Sequence, residues 1–113
     1  MPTDNRPVVV LAGPIHPDGH ALLAREADVI VAEDLTETAV VSQARDAHGI
    51  LFRSKPLCSA SLMAACPRVR VVGRHGAGLD IVDIPAATRL GVAVVHAPGA
   101  NAQAVAEHAL MLM

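Results

Sequence analysis

The sequence predicts an α/β domain built on a doubly wound parallel sheet of about five strands, and three observations carry that expectation. Short β-like apolar runs alternate with stretches of helical spacing along the whole chain. The apolar residues, 52% of the total, are almost all Ala, Val, Leu and Ile, with Phe52 the only aromatic. Small aliphatics of this kind suit parallel strands covered by helices on both faces. Glycine or proline closes several of the apolar runs, as loops at strand ends require. At 113 residues the chain has room for one domain.

Each element follows from its own residues. PVVVLAG (7–13) reads as a first strand, stopped by Gly13 and Pro14. DGHALLAREA (18–27) has apolar residues at helical spacing, and DVIVA (28–32) is a second strand. LTETAVVSQARDA (35–47) reads as a helix with Thr36 as its N-cap. GILF (49–52) is a third strand that ends in the polar loop RSKPLCS. SASLMAACP (59–67) is a short helix stopped by Pro67, with Cys66 as a packing residue at its end, and VRVVG (69–73) is a fourth strand. Beyond a glycine-rich stretch, Asp83 caps a helix through PAATRL, with Pro85 tolerated in the first turn. Gly91 suits the left-handed residue that ends it. VAVVHAP (92–98) is a fifth strand, and AQAVAEHALMLM starts another helix. Five β-runs separated by helices point to the flavodoxin-like strand order.

The last helix has no Gly, Pro or basic turn to stop it, and apolar residues cover most of its circumference. A helix of that kind needs burial on several sides. The expectation is a chain cut from a longer protein.

Composition excludes several functions. Nine basic residues against eleven acidic ones, and a single aromatic, supply neither the charge nor the stacking surface that nucleic acids need. No apolar run approaches the roughly 20 residues of a membrane span. MPTDNRPVVV lacks the basic start and long apolar centre of a signal peptide. Cys58 and Cys66 do not make a disulfide framework, and they read as free thiols in a reducing cytoplasm. His16 and His20 have the spacing of helical metal ligands, but Pro17 and Gly19 intervene and no third ligand follows, so no metal site is expected. Glu33–Asp34 reads as a solvated turn.

GRHGAGLD (73–80) invites comparison with a dinucleotide-binding turn. The fingerprint requires G-x-G-x-x-G after the first strand. Here Ile81 stands where the third glycine belongs, and the stretch follows the fourth strand. It does not fit. Gly76 and Gly78 nevertheless flank Ala77 at the carboxyl end of a central strand, where ligands of open α/β sheets gather. Backbone N–H groups exposed by glycine bind carboxylates well. Arg53 and Arg74, at the ends of neighbouring strands, add positive charge. The expected ligand is a small anion.

The ordered motifs of residues 69–113 carry a resemblance. G-R-x-G-x-G-x-D, D-x-x-A-A-T-x-x-G-V, V-V-x-A-P-G-A-N and V-A-E-H-A-L together resemble the N-terminal part of the substrate-binding domain of D-isomer-specific 2-hydroxyacid dehydrogenases. ILFRSKPLC (50–58) resembles the loop after that family's third strand, and residues 1–48 agree in pattern. Arg53–Ser54 and Arg74 make the phosphoglycerate dehydrogenases the nearest members.

The resemblance implies two flavodoxin-like domains, with a nucleotide-binding domain inserted into the substrate-binding one and the active site between them. Residues 1–113 would be the first segment of the substrate-binding domain, with the nucleotide-binding domain absent. It further implies that Ala77 and Gly78 hold the substrate carboxylate through their amides, and that Ala77 touches the nicotinamide side of NAD. Arg53, Ser54 and Arg74 are implied to reach the substrate, with Asn101 near substrate and cofactor. The family often has Asn at the positions of Ile81 and His96. Its catalytic arginine, glutamate and histidine lie beyond Met113. His75 and His108 do not replace them, since neither has a positioned partner.

The parent protein is thus expected to be an oxidoreductase that interconverts a D-2-hydroxy acid and a 2-oxo acid with NAD or NADP. The family's usual homodimer is expected as well. The 113 residues alone are expected to be inactive, without a tightly held cofactor and poorly folded. A non-catalytic binding or corepressor-type module is the alternative. A phosphate-receiving signalling domain is set aside, because AGP, FRS and HAPG stand where its acidic residues and lysine belong.

Overall fold

A computed structural model describes residues 6–15, 17–53, 55–75 and 81–97. Within them the chain forms β1 (Val8–Ala12), α1 (Pro17–Glu26), β2 (Asp28–Ala32), α2 (Glu37–Ala44), β3 (Gly49–Phe52), α3 (Ala60–Ala65), β4 (Val71–His75), α4 (Ile84–Leu90) and β5 (Ala93–Ala97). The strands make one parallel sheet in the order β2-β1-β3-β4-β5. This is the flavodoxin-like arrangement the alternating runs predict. The terminal helix expected over residues 102–113 lies outside the described residues.

Strand order dictates where the helices go. The step from β1 to β2 moves one way across the sheet, and every later step moves the other way. Right-handed crossovers therefore place α1 on one face and α2, α3 and α4 on the opposite face. The two cores agree. Val9, Leu11 and Leu51 pack with Leu23 of α1 and Ala27 on the first face. Val10, Ile50, Phe52 and Val72 pack with Val40, Leu62, Met63, Ala86 and Ala87 on the second. β1 and β3 are central and apolar on both sides, whereas the edge strand β2 is mostly half-buried.

The helix ends use the predicted chemistry. Thr36 accepts a hydrogen bond from the Ala39 N–H, and Asp83 accepts one from the Ala86 N–H at 3.0 Å. Gly91 has φ 71°, and the amides of Gly91 and Val92 turn back to Thr88 and Ala87. That pattern satisfies the last carbonyls of α4 and favours a residue without a side chain. Ser59, expected inside α3, is instead its N-cap and accepts from the Leu62 N–H. Arg6 closes α1, donating to the carbonyls of Ala24 at 2.7 Å and Ala27 at 2.8 Å while pairing with Asp28. A cation there meets the negative end of the helix.

β4 differs from its expected span of 69–73. It begins at Val71 and runs on through Arg74 to His75. Val69 is held in a turn by its amide bond to the Cys66 carbonyl. Arg74 and His75 stay in the ladder because β5 continues beside them, pairing His96 with Arg74 and Ala97 with His75.

Candidate functional site at the carboxyl edge of the sheet

β1 connects to a strand on one side and β3 to a strand on the other. The crevice at their carboxyl ends is therefore the topological switch point, where open α/β sheets bind ligands. Arg53, the first residue after β3, is exposed there. Its Nη1 donates to the Pro14 carbonyl at 2.9 Å, so its guanidinium reaches across to the loop after β1. Gly13, just before Pro14, has φ 101°. Arg74 sits one strand over, level with Phe52 across the β3–β4 ladder, and is half-buried. The two arginines thus stand at the ends of neighbouring strands, as expected. Ser54, Ala77, Gly78 and Asn101 lie outside the described residues, as does His108.

Residues on both sides of the glycine-rich stretch are fixed. His75 ends β4 before it. After it, the Cys58 N–H donates to the Ile81 carbonyl at 2.7 Å and the Asp83 N–H to the Cys58 carbonyl at 3.0 Å. Cys58 and Val82 form an isolated parallel bridge. The loop after β3 and the segment following the glycine-rich stretch are therefore tied together, which sequence spacing does not reveal. The Lys55–Pro56 peptide within that loop is cis.

Ile81 occupies the place of the fingerprint's third glycine. A dinucleotide cradle needs a glycine there for close helix–strand packing. Ile81 instead packs against the core, and its carbonyl is engaged by Cys58.

Both thiols are buried and free. Burial pushes Cys58 up to about 12, with Cys66 and the Asp83 carboxylate adding to the shift. Burial likewise raises Cys66, against a lowering by Arg45. Neither thiol is a nucleophile near neutral pH.

A depression of about 490 Å³ lies farther along, between the end of β2 and α2, lined by Val31, Glu33, Asp34, Ala39, Ser42 and Gln43. Its charged lining is acidic and repels a carboxylate. Glu33 and Asp34 are exposed, and Asp34 accepts from the Thr36 N–H, which makes this pair a turn. Among the described residues, no three His, Cys, Asp or Glu side chains gather to hold a metal. No described helix is long and apolar enough to cross a membrane.

Comparison with known proteins places the chain and its fold in a family. The family model described as D-isomer specific 2-hydroxyacid dehydrogenase, catalytic domain, matches residues 8–110. A D-3-phosphoglycerate dehydrogenase of Mycobacterium tuberculosis is 37% identical over 107 residues, covering 95% of this chain and 20% of the relative. The chain therefore spans about a fifth of that relative's length. An NADPH-dependent glyoxylate/hydroxypyruvate reductase from Sinorhizobium meliloti, solved with NADP and malonate, is 28% identical. It superposes with a TM-score of 0.69 over 81% of this chain and 28% of that one. A protein of Pyrococcus horikoshii at 22% identity shares the fold, with a TM-score of 0.78 over 83% of this chain and 28% of its own. On the match across nearly its whole length, the chain belongs to the D-isomer specific 2-hydroxyacid dehydrogenases, by their catalytic domain.

Proposed function

We propose that this chain is the first segment of the substrate-binding domain of an NAD- or NADP-dependent D-2-hydroxyacid dehydrogenase. Its task is to hold the carboxylate end of a 2-hydroxy or 2-oxo acid of the phosphoglycerate or hydroxypyruvate class. The observation that carries this reading is the placement of Arg53 and Arg74 at the carboxyl ends of adjacent strands beside the switch point. Two positively charged residues at that edge favour an anion, and guanidinium groups pair with carboxylates in a fork geometry.

In this reading the amides of Ala77 and Gly78 bind the substrate carboxylate, while Arg53, Ser54 and Arg74 take its other polar groups. Asn101 and Ala77 lie toward the nicotinamide. The dinucleotide itself belongs to a separate nucleotide-binding domain, since Ile81 stands where the fingerprint's third glycine belongs. The parent protein is a cytoplasmic homodimer, and two buried free thiols suit that compartment.

The test is Gly78→Val in the intact protein that carries this segment. A branched side chain at an amide that must approach the substrate closely should lower kcat/KM for hydroxypyruvate by about 100-fold, the scale seen when one backbone donor to a reacting oxygen is lost. An unchanged kcat/KM would rule out the assigned role.

A further inference from the structure

The direction in which Arg53 points is set by the loop after β1, and three distances around Gly13 and Pro14 locate it. First, its Nη1 donates to the Pro14 carbonyl at 2.9 Å, although the two residues are 39 apart in sequence. Second, the Arg53 side chain crosses Gly13: a Cβ placed on that glycine would stand 3.7 Å from Arg53 Cδ. Third, the same Cβ would stand 3.7 Å from Leu35 Cδ1, in the loop after β2. The loops after β1, β2 and β3 thus converge at the base of one arginine.

The convergence matters because an exposed arginine otherwise samples many rotamers, and fixing it costs entropy when a ligand arrives. The anchor is partly preset. Pro14 has its φ locked by the ring and restricts the residue before it, and Gly13 supplies φ 101°, a region side chains rarely adopt. The turn that presents the Pro14 carbonyl therefore depends on both residues. The bond engages one N–H of a group with about five, so an anion can be gripped without releasing the anchor.

We infer that Gly13 and Pro14 form a positioning turn that preorganises Arg53 for a substrate anion. The inference rests on the functional reading above. It adds that the turn after β1, which itself need not touch the substrate, tunes substrate affinity through Arg53.

The experiment is a double-mutant cycle in the intact protein, with hydroxypyruvate as the probe and KM and kcat measured separately. Arg53→Ala is expected to raise KM by roughly 10- to 100-fold, the range for loss of a charge-assisted bond. Gly13→Ala should raise KM about 5-fold with kcat nearly unchanged, because alanine is strained at φ 101° and the turn that presents the Pro14 carbonyl to Arg53 must shift. In the Arg53→Ala background the same Gly13→Ala change should alter KM less than about 2-fold. Additive effects would overturn the inference while leaving the functional reading intact. An unchanged KM in Arg53→Ala would overturn both. Should Gly13→Ala fail to fold, the guanidinium ¹⁵N resonances of Arg53 in the unsubstituted protein decide. Slowed rotation and distinct Nη signals are expected, and signals averaged as in free arginine would overturn the positioning role.

Discussion

Phe52→Ala is expected to destabilise the domain by about 3–5 kcal/mol, the cost of removing a buried ring and leaving a cavity. Phe52 is fully buried in the central strand β3 and belongs to the larger of the two cores. It is also the chain's only aromatic. In the same row across the sheet, Ala12 on one side and Ala32 beyond it are too small to fill the space it leaves, and Arg74 on the other side is charged. Domains of this size have stabilities of about 5–15 kcal/mol, so the loss is a large share of the total. The thermal midpoint should fall by roughly 15 °C. Phe52→Leu, which keeps most of the volume, should cost far less. A loss below about 1 kcal/mol for Phe52→Ala would mean the core is not organised around this side chain. Because Arg53 follows directly, the same substitution should also loosen the candidate site.

Alkaline pH is the second large effect. A buried thiol held up to about 12 stays protonated in the folded chain, while in the unfolded chain it ionises near its ordinary 9.0. Between those values the unfolded state binds fewer protons than the folded state. Stability therefore falls as pH rises through that window and is retained below it. The slope approaches about 1.4 kcal/mol per pH unit for Cys58 alone, or ~4 kcal/mol by pH 12. Cys66, also raised, steepens it. The chain contains no tyrosine, and Lys55, its single lysine, is exposed, so few other groups obscure the effect. Urea titrations from pH 8 to pH 11 should show the decline, and Cys58→Ala should flatten it. Equal slopes in both proteins would contradict the assignment to Cys58.

Much of this fold is legible in the sequence because its punctuation is strong. DVIVA and GILF coincide with β2 and β3 to the residue, since Ala27, a helix-end contact, and Gly49 mark sharp transitions. Thr36, Asp83 and Gly91 do what their residue types predict, since caps depend on local backbone geometry alone. The departures have tertiary causes. β4 extends to His75 because β5 supplies partners there, and no local feature of R-H announces it. Ser59 caps α3 and also donates to Glu37 of α2, an attachment that depends on how the helices pack.

The candidate site divides in the same way. That Arg53 and Arg74 end adjacent strands is readable from the order of the runs. That Arg53 lies on Gly13 and bonds Pro14, or that Cys58 bridges to Val82, is not readable, because each contact joins residues distant in sequence. A glycine–proline pair closing a strand was the available signal for the first of these. It reads locally only as a strand stop.

Amide chemical-shift mapping of the isotopically labelled intact protein during titration with hydroxypyruvate shows whether the carboxyl edge of this sheet binds a 2-oxo acid anion. Saturable shifts are expected at Gly13, Arg53, Ser54 and Arg74 and at the amides of Ala77 and Gly78, with the acidic depression around Glu33 and Ser42 unaffected. Shifts confined to that depression, or none at the strand ends at saturating probe, would contradict binding at this edge.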